Sequence, residues 1–336
     1  PGGRVELSGL TQPGTIKLDT SNLSLSGLEN LSLADVNITK SAIINVRSGG
    51  GGDIVIDAQN LQITNNSNLR AGIAADLGSD TAIAGDINFN IQGKINIDNG
   101  SIVVNSIRPG GKGTGGNVNI NTNSLSVTNG SQIIAITLGN GNPGNVKINA
   151  NQVVFDGVGS YGFPSGIFST AGITGVGNGG TIEINAQTLT LTNGAELGAS
   201  DRVGHAGNII IKVQDEINLD GFSNQYGFSS GLFSNTNTNG RGNGGTIQVE
   251  TNTLKISNGA VLAAHSTNNF SGGFIQVNVN NLSLLNGGEI LTTAFAGGNA
   301  GSINVNVMKN LEISGLDSTY HQRLEKFGSD AVDPST

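Results

Sequence analysis

The stretch "GNGGTIEINAQTLTLTNGAELGAS", residues 177–200, returns at residues 242–266 as "GNGGTIQVETNTLKISNGAVLAAHS". Inside each copy apolar and polar residues alternate with period two, and no 3.6-residue spacing occurs, so each copy reads as β-strands. One copy divides into three short strands. The first is Thr181-Ile182-Glu183-Ile184-Asn185, the second is Leu189-Thr190-Leu191-Thr192, closed by Asn193-Gly194, and the third is Ala195-Glu196-Leu197-Gly198-Ala199. Side chains alternate faces along a strand, so Ile182 and Ile184 point one way while Thr181, Glu183 and Asn185 point the other.

The second glycine of the G-G-x-I-x-I phrase marks the repeat. Related glycines fall at Gly14, Gly52, Gly85, Gly116, Gly144, Gly180, Gly207, Gly245, Gly273 and Gly301, at intervals of 27 to 38 residues. A period in this range predicts a solenoid in which each unit buries its apolar face on its neighbours. Three strands per unit predict a triangular coil, and the fold class is all-β: a right-handed parallel β-helix of about ten coils, the hand following from the general preference of parallel crossovers. Stacking at ~4.8 Å would place Ile54, Ile87, Val118, Val146, Ile182, Ile209, Ile247, Ile275 and Ile303 in one internal column and give a rod ~50 Å long. A second column would run from Ile56 and Phe89 through Ile184 to Val305. Asn129-Gly130, Asn193-Gly194, Asn258-Gly259 and Asn286-Gly287 sit where the chain must turn, since Asn and Gly tolerate positive φ; their amides are expected to stack as a ladder.

Composition agrees with a regular structure made of small residues. Among 336 residues there are 53 glycines, while charged residues make up 12% and aromatics 4%. Glycine does not recur every third residue, which excludes collagen. Plentiful Ile, Val and Leu oppose disorder. A formal net charge of -8 without any Lys/Arg cluster argues against nucleic acid as a partner. No cysteine is present, so disulfides, thiolate metal sites and cysteine nucleophiles are excluded together. No apolar run reaches the ~18 residues of a membrane span, so no membrane anchor is expected and the chain is not expected to span a membrane. Pro1 opens no signal peptide, and an export signal is expected upstream.

The phrases "GNGGTIEINAQTLTLTNGAELGAS", "LDGFSNQYGFSSGLFSNTNTNGRGNGG" and "GGNVNINTNSLSVTNGSQI", with the start "PGGRVELSGLTQPGTIKLD", carry a resemblance. The chain resembles the large repeat exoproteins of cyanobacteria, relatives of the filamentous hemagglutinins secreted by the two-partner pathway. The resemblance covers Pro1 to Leu316 and rests on the GG phrase, the N-G corner and an S-G-[IL]-F-S insertion in fixed order. It implies an extracellular or cell-surface β-helix exported unfolded through an outer-membrane partner transporter, following a secretion domain that this sequence does not contain. One repeat domain is expected over residues 1–315. Residues 316–336, "LDSTYHQRLEKFGSDAVDPST", leave the pattern and read as a cap, a linker or a broken repeat.

Two function classes follow from such a rod. The first is a structural or adhesin-like module that presents loops for attachment to a cell-surface glycan or protein. The second is a polysaccharide-active enzyme, lyase or hydrolase, on the same scaffold. Asp53 with Asp86, and Asp156 with Asp220, occupy matching coil positions and are the carboxylate pairs an enzyme would draw on. Asp156-Gly157 and Asp220-Gly221 also read as ordinary turn residues, and no Arg, Lys or His accompanies either pair, so no catalytic residue is expected. His205, His265 and His321 fall at different coil phases, so no metal site and no cofactor is expected.

The scarce aromatics are the remaining signal. Tyr161, Phe163, Phe168, Tyr226, Phe228 and Phe233, six of 14 in the chain, lie in the insertions "YGFPSGIFST" and "YGFSSGLFSN" of two long coils. They are expected two rungs apart on one side. Either the rings pack on their own corner, or they form a ridge that stacks on sugar rings or a partner surface.

Overall fold

Alternation along the strands is realised as two walls of a hollow filled with side chains. The structure, a computed structural model, describes residues 2–21, 24–26, 31–172, 174–237 and 240–328. Ten parallel strands stack on a first face, from Val5–Ser8 through Ile54–Ala58 and Ile87–Ile91 to Ser302–Ser314, and the chain completes about nine turns of a β-solenoid. Ile54, Ile87, Val118, Val146, Ile182, Ile209, Ile247 and Ile275 stand in one parallel register and are fully buried. Ile56, Phe89, Ile120, Ile148, Ile184 and Ile211 form the second column, equally buried. Each such side chain contributes roughly 1.5–3 kcal/mol of transfer free energy, so these columns outweigh any surface contact.

The three faces are not three independent sheets. In the early coils the first and second strands are separate, as in Val146–Asn149 and Gln152–Asp156. From Thr181–Thr192 onward they fuse into single strands of 12 or 13 residues that bend between the faces, and both faces belong to one 15-stranded sheet. Pairing continues through the bend with a register shift after Ala186, which takes up one extra residue of the next rung. The third face is a separate 9-stranded sheet from Ile43–Asn45 to Glu289–Leu291. What separates it is the corner: Asn193 and Gly194 take φ of 56° and 85°, a conformation that interrupts strand pairing.

The glycine that marks each repeat is there because rungs approach closely. A Cβ on Gly207 would collide with the carbonyl oxygen of Gly180, and one on Gly245 with that of Gly207. The first mark in the chain needs correction. Lys17–Asp19, after Gly14, pairs antiparallel with Ser24–Ser26 outside the stack, and the first rung is Val5–Ser8, following Gly2-Gly3. "GGRVEL" carries the double glycine and two inward apolar residues, whereas Pro13 stands in place of the first glycine before Gly14.

Asparagine ladders do form, mainly on the outward side of the first face. Asn185 donates to Asn149, Asn149 to Asn121, Asn121 to Asn90 and Asn90 to Asp57, each one rung down, over 2.9–3.3 Å. Asn121, Asn149 and Asn185 line one wall of a shallow groove along the bend between the first two faces, with Ala150 and Ala186. At the Asn-Gly corners Asn286 donates to Asn258 and Asn99 to Asn65. The remaining corner amides find aspartates.

After Leu316 the chain folds back along the side of the stack. The helix Tyr320–Phe327 stacks the Arg323 guanidinium 4.3 Å over the Phe222 ring, pairs it with Asp317 and places it 3.4 Å from Ser229 Oγ. Residues 316–328 are thus a lateral clamp on the second insertion. Residues 329–336 of the expected tail lie outside the described residues.

Candidate functional site

The two insertions leave the stack at the corner between second and third faces. Val158 and Pro164 close the first by an antiparallel bridge, and Phe222 and Ser229 close the second. Each re-enters through the S-G-[IL]-F-S phrase, whose residues have separate structural tasks. The Ser165 and Ser230 hydroxyls accept from the corner amides of Gly130 and Gly194 on the rung below. Ile167 and Leu232 enter the core. Ser169 and Ser234 turn inward and donate to the carbonyls of Gly144 and Gly207.

Phe168 and Phe233 therefore belong to third-face strands, not to the protruding loops, which corrects the expectation of six loop aromatics. They point outward, half-buried, with Gly198 between them in register. The phrase places them so, because alternation puts the residue after an inward Ile or Leu outside. Tyr226 and Phe228 are also half-buried. Their rings stack with centroids 6.3 Å apart at 17°, and the Tyr226 hydroxyl donates to the Ser160 carbonyl at 2.7 Å. Only Tyr161 and Phe163, 83% and 59% exposed, stand free at the tip of the first loop. The structure brings the two loops into one contiguous edge, with an exposed aromatic tip on a half-buried aromatic base.

Glu196 lies beside this base and was not singled out by the sequence. In register it stands between Gly166 and Gly231, on the rung between the two insertions. Burial alone pushes its carboxyl up to about 8, and among the described residues no ion pair includes it. A sequence signal exists only in hindsight: a glutamate preceded by Ala195 and followed by Leu197, at the outward position where adjacent coils carry glycine.

The aspartates weighed as catalytic pairs are occupied otherwise. Asp156 Oδ1 accepts from Thr192 Oγ1 and Asn193 Nδ2 at 2.6 and 2.7 Å, and Asp220 Oδ1 accepts from Ser257 Oγ and Asn258 Nδ2 at the same two distances. Asp98 repeats the pattern with Thr128 and Asn129. Asp53 accepts from the Asp86 amide and, against the expectation that no basic residue accompanies the pair, from Arg4 on the rung below, while Asp86 accepts from the Asn117 amide. These carboxylates close corners and cap the rung above.

The three histidines lie apart. His205 Nδ1 accepts from the Asn243 amide at 3.2 Å, His265 packs edge-on to Phe295, and His321 lies on the C-terminal helix. Among the described residues no group of three His, Cys, Asp or Glu side chains is placed to hold a metal ion. No helix among them is long and apolar enough to cross a membrane. Compared with protein-family models, with curated proteins and with solved structures, the chain matches none.

Proposed function

We propose that this chain is an adhesin-like segment of a rod displayed outside the cell, part of an exoprotein similar to filamentous hemagglutinins and exported through an outer-membrane partner. The solenoid supplies a stiff, charge-poor support. The observation that carries the reading is the aromatic tip: Tyr161 and Phe163 are held in solvent by a loop whose base is tied to the next insertion through Tyr226 and Ser160. Exposing two large rings costs transfer free energy, and contiguous exposed apolar groups mark interaction sites. Exposed aromatic rings suit the apolar faces of sugars or a partner protein surface.

The role is non-catalytic in this reading. Hydrogen bonds from neighbouring rungs engage Asp156 and Asp220, and Glu196 has no second carboxylate at its register positions, which are glycines. The double variant Tyr161→Ala/Phe163→Ala should lose binding to cell surfaces or immobilised glycans without a lower melting temperature. An unchanged binding curve rejects the adhesive reading. New reducing or unsaturated ends after incubation with acidic polysaccharides would establish an enzyme instead.

A further inference from the structure

Ser302–Ser314 is the last strand of the stack. Phe274–Leu285 pairs with one of its edges, and among the described residues no strand pairs with the other. Its inward positions continue the core columns into solvent. Ile303, Val305, Leu311 and Ile313 are 43%, 38%, 57% and 69% exposed, whereas Ile275, Val277 and Leu282 one rung below are 0%, 0% and 2%. An open edge with an apolar face is a template for another strand. The described tail does not supply one, because it runs back along the side to Phe222, Asn224 and Ser229. The opposite end is better covered: Val5, Leu7 and Val36 are partly buried and Leu33 nearly completely.

The strand reads "SINVNVMKNLEIS", close to a palindrome about Met308. Reversed upon itself it sets Ile303 against Ile313, Val305 against Leu311, Asn306 against Asn310 and Ser302 against Ser314. Its bend from first to second face falls between Val307 and Asn310, seen as a register shift, so Met308 marks both the bend and the centre of the palindrome. Turning one copy over about an axis through Met308 therefore lays its first face on the second face of the other. Away from the bend, inward residues then meet inward residues and outward residues meet outward ones, as antiparallel pairing requires, and only at the bend does the core-packed Val307 meet a lysine. The two charges of the strand, Lys309 and Glu312, fall opposite Val307 and Asn304, so no like charges oppose. Asn310, which donates to Asn281 at 2.8 Å, would meet Asn306 of the second copy and prolong the amide ladder.

We propose that two copies of this chain join end to end, their Ser302–Ser314 strands pairing antiparallel across a two-fold axis at Met308. Such a contact is closed, so it stops at a dimer and does not propagate into a filament. It stands independently of the aromatic tip.

The chain has one methionine and no cysteine, so Met308→Cys creates a unique thiol at the proposed axis. Under mild oxidation the full chain carrying Met308→Cys should become a disulfide-linked dimer, while Asp80→Cys, an exposed control, should not. The unmodified chain should sediment as a dimer, and Val305→Lys/Leu311→Lys should sediment as a monomer with an unchanged circular dichroism spectrum. A monomeric unmodified chain, particles that grow beyond a dimer with concentration, or equal cross-linking of the two cysteine variants would overturn the proposal.

Discussion

The Tyr226 hydroxyl donates a 2.7 Å hydrogen bond to the carbonyl oxygen of Ser160, 66 residues earlier in the chain and two rungs away in the stack. The same ring lies over Gly162, where a Cβ would stand 3.3 Å from Cε1. The two insertions are thereby one structural unit, and the exposed Tyr161 and Phe163 inherit their position from a residue of the other loop.

Removing only that hydroxyl tests the coupling. Tyr226→Phe keeps the stacked ring and forfeits one exposed hydrogen bond, a net loss of about 1 kcal/mol or less. Amide exchange should quicken at Gly159 and Gly162, whose hydrogen bonds close the first loop, and stay unchanged at Ile167 and Ile184. Equal exchange in both loop amides would mean the loops are ordered separately.

Inside and outside differ most sharply at adjacent residues of the quoted stretch. Ile184 is fully buried in its column, while Glu183 is paired with Lys147 at 3.0 Å on the surface. Ile184→Asp should destabilise by more than about 4 kcal/mol, through lost burial and an unpaired internal carboxyl, or prevent folding. Glu183→Lys exchanges a half-exposed ion pair for a repulsion and should cost about 1 kcal/mol or less. Comparable shifts in denaturation midpoint would contradict the assignment of faces.

Those faces were legible because alternation is local: Ile182 and Ile184 must share a side whatever surrounds them. The Asn193-Gly194 corner was legible for the same reason, since positive φ is a property of the residues themselves. What surrounds a residue several rungs away was not. "YGFPSG" and "YGFSSG" are nearly identical, yet Tyr161 is exposed and Tyr226 half-buried, because only Tyr226 has the other insertion beneath it. The tail was equally opaque: Arg323 finds Ser229 and Phe222 about a hundred residues back, and no periodicity announces a partner that far away. The aspartates were misleading as a pair and informative as single residues, each answering a Thr-Asn or Ser-Asn of the next rung.

Glu196 makes stability depend on pH in a stated direction. Its carboxyl is raised from 4.5 to about 8 by burial, so between these values the folded chain holds a proton that the unfolded chain has released. The folded state binds more protons there, and stability falls as pH rises from about 4.5 to about 8, then levels. Glu196→Gln removes the titration. Its melting temperature should lie progressively further above that of the unmodified chain from pH 5 to pH 8, and parallel curves would show that Glu196 ionises normally.

The Asn193 corner combines a backbone demand with a side-chain demand, and two substitutions separate them. Asn193 has φ of 56° and donates from Nδ2 to Asp156 Oδ1 at 2.7 Å. Asn193→Gly keeps the left-handed backbone and loses the charge-assisted hydrogen bond, a loss of about 1.5 kcal/mol, partly offset because Thr192 still donates to the same oxygen. Asn193→Ala loses that bond and adds about 1 kcal/mol of left-handed strain. The alanine variant should therefore be the less stable by about 1 kcal/mol, read as a difference in urea midpoint at equal slope. If the two variants unfold together, backbone strain contributes nothing at this corner and the Asp156 bond alone selects asparagine. If glycine instead matches the unmodified chain, the corner is chosen for φ alone, and the aspartates two rungs apart lose the structural role assigned to them.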